Sequence, residues 1–164
     1  MILYIVRHGI AVDRADPKSP PEAERPLTAR GVQKTHSAAL GLRALKVKPD
    51  LLFTSPYVRA AQTAEIVAET LGLSSEKMRV SEALKPAANP ADVLKEISHL
   101  KVKEVMCFGH APHVDLLIAH LAGAQDAFTE LKKAGVACFE YATSRGKWEL
   151  RWILTAKILR ELGE

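Results

Sequence analysis

Short apolar runs, each far too brief for a buried helix, alternate along this chain with stretches that carry apolar residues at helical spacing, and no constraint on the fold is stronger. The alternation predicts an α/β protein: a three-layer α/β/α sandwich around a mostly parallel central sheet, since parallel neighbours need a crossover, usually a helix, between them. The texture changes near the C-terminus. Gly135 to Thr143 and Lys147 to Thr155 have β-forming composition on either side of Ser144-Arg145-Gly146, which reads as an antiparallel hairpin.

The first strand is read at Ile2 to Val6, followed by a polar, proline-bearing loop from Ala11 to Pro26. Thr28 suits the N-cap of a helix that turns Val32, Ala39, Leu42 and Leu45 toward the sheet. Leu51 to Thr54 is a second strand. Ser55-Pro56 then reads as a cap followed by a proline at the first helical position, and the helix buries Ala60, Ala64, Val67, Ala68 and Leu71. Met78 to Ser81 is a third strand, Ala91 to His99 a short helix opened by Pro90, and Glu104 to Gly109 a buried strand leading into a helix from Pro112 to Ala122. A last short helix is read over Ala156 to Leu162.

A chain of 164 residues fits one domain, residues 1–164, able to bury about two thirds of its unfolded surface. No run approaches the roughly 18 apolar residues of a membrane span, and the N-terminal run stops at Arg7, too short and wrongly flanked for a signal peptide. Cytoplasmic residence is the default expectation. Cys107 and Cys138 lie in apolar runs and form no CxxC pair, so both read as buried reduced thiols. The net charge of +4 is dispersed, with no run of five like charges and few aromatics, which argues against nucleic acid as partner and leaves mild steering of an anionic substrate.

The chemistry gathers where strands end. Arg7-His8-Gly9 closes the first strand, Arg59 opens the helix after the second, and His110 follows the strand ending at Gly109. Open α/β sheets bind ligands at the carboxyl ends of their strands, so parallel neighbours would bring two arginines and two histidines into one pocket. Gly9 would let the backbone bend and a substrate oxygen approach without meeting a Cβ. Two guanidiniums suit a phosphoryl group, because they are planar forks that stay charged at every working pH. Neighbouring cations would also hold an imidazole nucleophile in its neutral, reactive form.

Arg7-His8-Gly9, the segment from Thr54 through Ser55-Pro56-Tyr57-Val58-Arg59 to Ala64, and Gly109-His110-Ala111-Pro112 together resemble the histidine phosphatase, or phosphoglycerate-mutase-like, superfamily. The resemblance implies a nucleophile at His8, with Arg7, Arg59 and His110 around the phosphoryl group. Ala11 after Arg-His-Gly-x, the stretch Pro26-Leu27-Thr28-x-x-Gly31, a separation of only 51 positions from Arg59 to His110, and the region from Trp148-x-Leu150-x-Trp152 to Leu159 are similar to the SixA-type phosphohistidine phosphatases. That implies a metal-independent phosphatase without cofactor, monomeric, acting through a phosphohistidine intermediate. Its partner would be a phosphorylated protein such as a histidine-containing phosphotransfer domain, with roles in signal transduction. A small-molecule phosphomonoesterase and a catalytically silent phosphate-binding or adaptor domain remain as alternatives.

Other residues have narrower readings. Glu82, after the third strand, is the candidate general acid, although an imidazole leaving a P–N bond needs less protonation than an alkoxide. Ser55 reads as a helix cap that also donates to phosphate. His36, His99, His113 and His120 fall in helical segments as solvated or packed side chains. Asp13, Asp16 and Asp115 make no metal-ligand spacing with His8 and His110, so no metal is expected.

Overall fold

A computed structural model describes residues 1–164. Its strands are β1 (Ile2–Arg7), β2 (Leu51–Thr54), β3 (Met78–Val80), β4 (Glu104–Gly109), β5 (Val136–Ala142) and β6 (Lys147–Leu154). The helices are α1 (Ala29–Ala44), α2 (Val58–Leu71), α3 (Pro90–Ser98), α4 (His113–Ala122) and α5 (Ala156–Gly163). The strands form one sheet in the order β3-β2-β4-β1-β5-β6. The first four run parallel, and β5 and β6 add an antiparallel edge as the C-terminal hairpin.

The sheet is covered on both faces, which is why its central strands read as unbroken apolar runs rather than alternating ones. Leu3, Ile5, Val105, Cys107 and Phe139 pack with α3 and α4 through Val93, Ile97, Leu117 and Ile118. Tyr4, Val6, Met106, Phe108 and Cys138 pack on the other side with α1, α2 and α5 through Ala39, Leu42, Ala64, Val67 and Leu159. The three-layer α/β/α sandwich is therefore observed. The two cysteines are free and buried, and they lie in the two different layers of core. No helix is long and apolar enough to cross a membrane.

Two local expectations are corrected. Val32 in α1 and Leu45, its C-cap, are exposed; Ala39 and Leu42 are buried as expected, and Gly31, Thr35, Ala38 and Gly41 complete the face that meets the protein. The reason is close backbone approach: a Cβ on Gly41 would stand 1.9 Å from the Leu159 carbonyl oxygen, and one on Gly31 2.0 Å from that of Ile10. Small residues, not large apolar ones, define the contact with α5. The helix α2 begins at Val58 rather than Pro56, and its N-cap residue is Tyr57, without a side-chain cap. Ser55 is thereby released from capping. Thr28 does cap α1, its hydroxyl accepting from the Gly31 amide at 3.0 Å.

The register sets the three central strand ends level. Arg7 pairs with Gly109, and Phe108 lies between Val6 on one side and Thr54 on the other. The next residues are tied across the same line, the His8 amide donating to the Gly109 carbonyl at 3.0 Å and the Ser55 amide to that of Phe108 at 3.0 Å. His8, Ser55 and His110 consequently leave the sheet side by side.

Candidate active site

The exits of β1, β2 and β4 open into a cavity of about 840 Å³, whose lining includes Arg7, His8, Arg59 and His110. The four residues that sequence places on separate strand ends thus meet in one pocket. His8 is 7% exposed and held from both ring nitrogens. Its Nδ1 lies 2.6 Å from the Gly9 carbonyl oxygen, and Arg59 Nε is 3.2 Å from its Nε2. A carbonyl can only accept and a guanidinium can only donate, so these partners select the neutral tautomer with the proton on Nδ1 and the lone pair on Nε2.

The same ring is kept uncharged by its surroundings. Burial is the largest cause, and the charges of Arg59, Arg7 and Lys133 add to it against the opposing Gly9 hydrogen bond, bringing the His8 pKa down to about 4. Desolvation leads here, and the neighbouring cations are the secondary cause. His110 is pushed lower still, by burial first and then by the charges of His8 and Arg59. The two rings stand 5.1 Å apart between centroids.

Arg59 is fixed by its neighbours on α2 and by the loop opposite. The Thr63 hydroxyl donates to the Arg59 carbonyl at 2.7 Å and accepts from the Gly9 amide at 3.0 Å, tying α2 to the end of β1. Gln62 Oε1 accepts from the Leu27 amide at 2.7 Å, which anchors the start of α1 to the same helix. The guanidinium of Arg59 donates to the Glu22 carbonyl at 2.7 Å and to Glu22 Oε1 at 2.9 Å, and lies 5.1 Å from the Tyr57 ring centroid.

Glu22 and Arg25 are the site residues that the sequence reading missed. Both lie in the long loop after β1, folded back by the Ala11–Leu27 bridge and by Arg25 Nη1 donating to the Val12 carbonyl at 2.6 Å. Arg25 is buried and makes a two-point pair with Glu22, at 2.9 and 2.8 Å. That hydrogen bonding is the main reason the Glu22 carboxyl sits below the usual carboxylate range, with the charges of Arg59, Arg25 and Arg14 contributing. The available signal was Arg25 itself, adjoining the Pro26-Leu27-Thr28 stretch. Loop composition alone gives no reason to fold it into the pocket.

Arg7 is held from the opposite side. Its Nη1 donates to the Leu131 carbonyl at 2.8 Å, and that segment is fixed by the buried Asp115 carboxylate, which accepts from the Leu131 amide and the Thr129 hydroxyl, each at 2.8 Å. Asp115 is a positioning residue for Arg7. Two buried groups of the pocket residues have no partner: Arg7 Nε and His110 Nδ1. Both belong to side chains that line the cationic pocket, where a guanidinium Nε–H and a protonated imidazole nitrogen can each donate to an anion.

The remaining expectations fare differently. Ser55 is fully buried behind His110, its Oγ 2.8 Å from His110 Nε2 and accepting from the Tyr57 amide at 3.3 Å, and it does not line the pocket. It orients the imidazole rather than meeting a ligand. Gly9 likewise faces away, and a Cβ there would meet Thr35 Oγ1 at 2.4 Å, so its smallness admits α1 and not a substrate oxygen. Glu82 does not line the cavity. It sits in a short 3-10 turn after β3 whose Leu84 packs against Gly109 at the end of β4, with its exposed carboxylate paired to Lys85. His36, His99 and His120 are exposed, and His113 is packed in the interior.

Comparison with known proteins defines the class. Residues 3–89 match the model of the histidine phosphatase superfamily (branch 1), and the chain belongs to that superfamily. Within it, the chain is of the SixA type. It is 30% identical over 156 residues to phosphohistidine phosphatase SixA of Escherichia coli, covering 92% of this chain and 93% of that protein. The structure of the protein histidine phosphatase SixA complexed with tungstate superposes with a TM-score of 0.84 at 28% identity, over 97% of this chain and 99% of that one. A phosphoserine phosphatase from Entamoeba histolytica, solved with phosphoserine, shares the fold alone, at 15% identity and a TM-score of 0.76 over 95% and 98% of the two chains.

Proposed function

We propose that this protein hydrolyses phosphohistidine carried on another protein, with His8 as nucleophile and no metal or organic cofactor. The observation that supports the reading most is the His8 ring: neutral, with its Nε2 lone pair in a pocket lined by arginines and bound to nothing but one Arg59 donor. In the first step His8 Nε2 attacks phosphorus as the bond to the substrate imidazole breaks. That imidazole leaves uncharged when its second ring nitrogen carries a proton, so a strong general acid is not demanded. Water then attacks the phosphohistidine on His8, releasing inorganic phosphate and restoring the ring.

Arg7 and Arg59 compensate the charge that spreads over the transferring oxygens, and His110 donates from Nδ1, the nitrogen left free by Ser55. The guanidiniums are set in place before the reaction, so little reorganisation is needed. Glu22 is ionised at neutral pH and serves as the resting counterion of Arg59 and Arg25, which an incoming phosphoryl group displaces. It replaces Glu82 as the carboxylate of the site, in a different role. The similarity to SixA proteins supports the phosphohistidine substrate, and the fold shared with a phosphoserine phosphatase keeps small phosphate esters as the second reading.

The test offers the enzyme a phosphorylated histidine-containing transfer domain beside a panel of small phosphate esters. Preference for the protein substrate, with an acid-labile phosphoenzyme that His8→Ala abolishes together with turnover, is the expected result. Faster turnover of the esters would favour the second reading. Phosphate binding without turnover or phosphoenzyme would identify a silent binding domain.

A further inference from the structure

The cavity does not end at its rim. On the side of Arg7 it continues into a depression of about 460 Å³ that shares Arg7, Ile10 and Lys133 with it and adds Lys34 and Lys132. That depression runs on into another of about 180 Å³, which shares Lys34 and adds Lys157 and Arg160. The strip therefore follows the exposed sides of α1 and α5 away from the reaction centre. Its only carboxylate is Glu130, already paired with Lys132 at 2.7 Å.

Lys34, Lys133 and Lys157 are exposed and make no ion pair, and Arg160 has only a loose contact of 3.7 Å with Glu164. Six cations against one acid is a strong local excess in a chain whose net charge is +4. The opposite rim differs. There Arg14 and Arg25 stand with Asp13 and Glu22, and the charges largely compensate.

We infer that this strip is a docking surface for a folded protein substrate with a row of carboxylates beside its phosphohistidine. The inference rests on the phosphohistidine reading above. His8 is nearly buried, and an imidazole holds its phosphoryl group within a short reach of its own backbone. Bringing that group to His8 presses the substrate's surface onto the rim, and the rim that continues is the cationic one. Complementary charge there raises the encounter rate and suppresses wrong partners. No aromatic side chain lines the strip, so it offers none of the stacking by which single-stranded nucleic acid is held.

The test compares the wild type with Lys34→Glu/Lys157→Glu/Arg160→Glu on two substrates: phosphoimidazole, and a phosphorylated histidine-containing transfer domain with carboxylates flanking its histidine. The reversal should lower kcat/KM on the domain at least about tenfold and leave phosphoimidazole within about twofold. Added salt should slow the wild type on the domain and barely affect the variant. Replacing the domain's flanking carboxylates by amides should reproduce the loss with the wild-type enzyme, an arm that does not depend on the variant folding.

Unchanged kcat/KM for the reversal variant on the acidic domain, or for the wild type when the amide domain replaces it, would overturn the docking surface. So would competition by single-stranded RNA stronger than by an acidic polypeptide at equal charge, which would mark a nucleic-acid site. A wild type inactive on both substrates defeats the phosphohistidine reading itself, and the docking surface falls with it.

Discussion

The floor and the rim of the pocket are built by opposite means. The floor consists of side chains at or just beyond the level ends of three parallel strands, where His8, Arg59 and His110 are all below 10% exposed and each is tied to another side chain or to the backbone, with Ser55 behind them. The rim belongs to loops, and its Arg14 side chain is 75% exposed. The contrast separates chemistry from recognition: a sheet can hold reacting groups to a fraction of an ångström, while loops vary at little cost to the fold. Substitutions on the floor should therefore damage turnover, and those on the rim should change affinity.

The severest challenge to that division is Arg59→Lys. Lysine keeps the charge but loses the fork that donates to His8 Nε2 from Nε and to the opposite loop from its other nitrogens. We expect kcat/KM to fall about 10²–10³-fold, mostly in kcat, with the melting temperature little changed. A loss confined to KM would place Arg59 with the rim and erase the distinction.

A smaller effect comes from pH. An ordinary histidine nucleophile would be about nine-tenths protonated at pH 5.5 and lose roughly tenfold in activity. With the His8 pKa brought down to about 4, kcat/KM on a small P–N substrate, corrected for the substrate's own titration, should stay within about twofold between pH 7.5 and 5.5. Folding stability has the same sign. The unfolded ring takes up a proton near pH 6.5 and the folded ring only near 4, so the His8 contribution is full above 6.5 and is lost as pH falls toward 4. A midpoint near 6.5 in the rate profile would show a solvated ring and a floor no drier than the rim.

The same contrast explains what could be read in advance. Floor residues follow apolar runs, and a buried strand announces where its end lies, so the ends of β1, β2 and β4 mark His8, Arg59 and His110 as candidates, and the motif resemblance supplies their roles. Glu82 also follows a strand, but β3 has three residues and sits at the sheet edge, and Ser81 is turned inward onto Glu96 at 2.7 Å, leaving Glu82 to solvent. Strand order, which periodicity does not contain, decided between them. Glu22 and Arg25 escaped notice because an irregular loop has no period, and its path depends on distant partners such as Gln62 and Val12. The spacing of large apolar residues misplaced part of the packed face of α1 for a related reason, since glycines close to the Leu159 and Ile10 carbonyls leave no hydrophobic signal.

The gentlest test lies at the border of the two regions, in Glu22→Gln. The amide keeps the shape of the side chain but removes the charge that neutralises Arg25 and Arg59. If Glu22 is a counterion that substrate must displace, its removal lowers the cost of displacement. Inorganic phosphate should then inhibit, and substrate bind, about two- to fivefold more tightly, with kcat within about twofold, because the Glu22 carboxylate is partly exposed and solvent screening holds the charge term to about 1 kcal/mol. A kcat lowered tenfold or more at unchanged KM would instead make the carboxylate part of the chemical step. In that case the boundary between floor and rim moves outward to include the loop after β1.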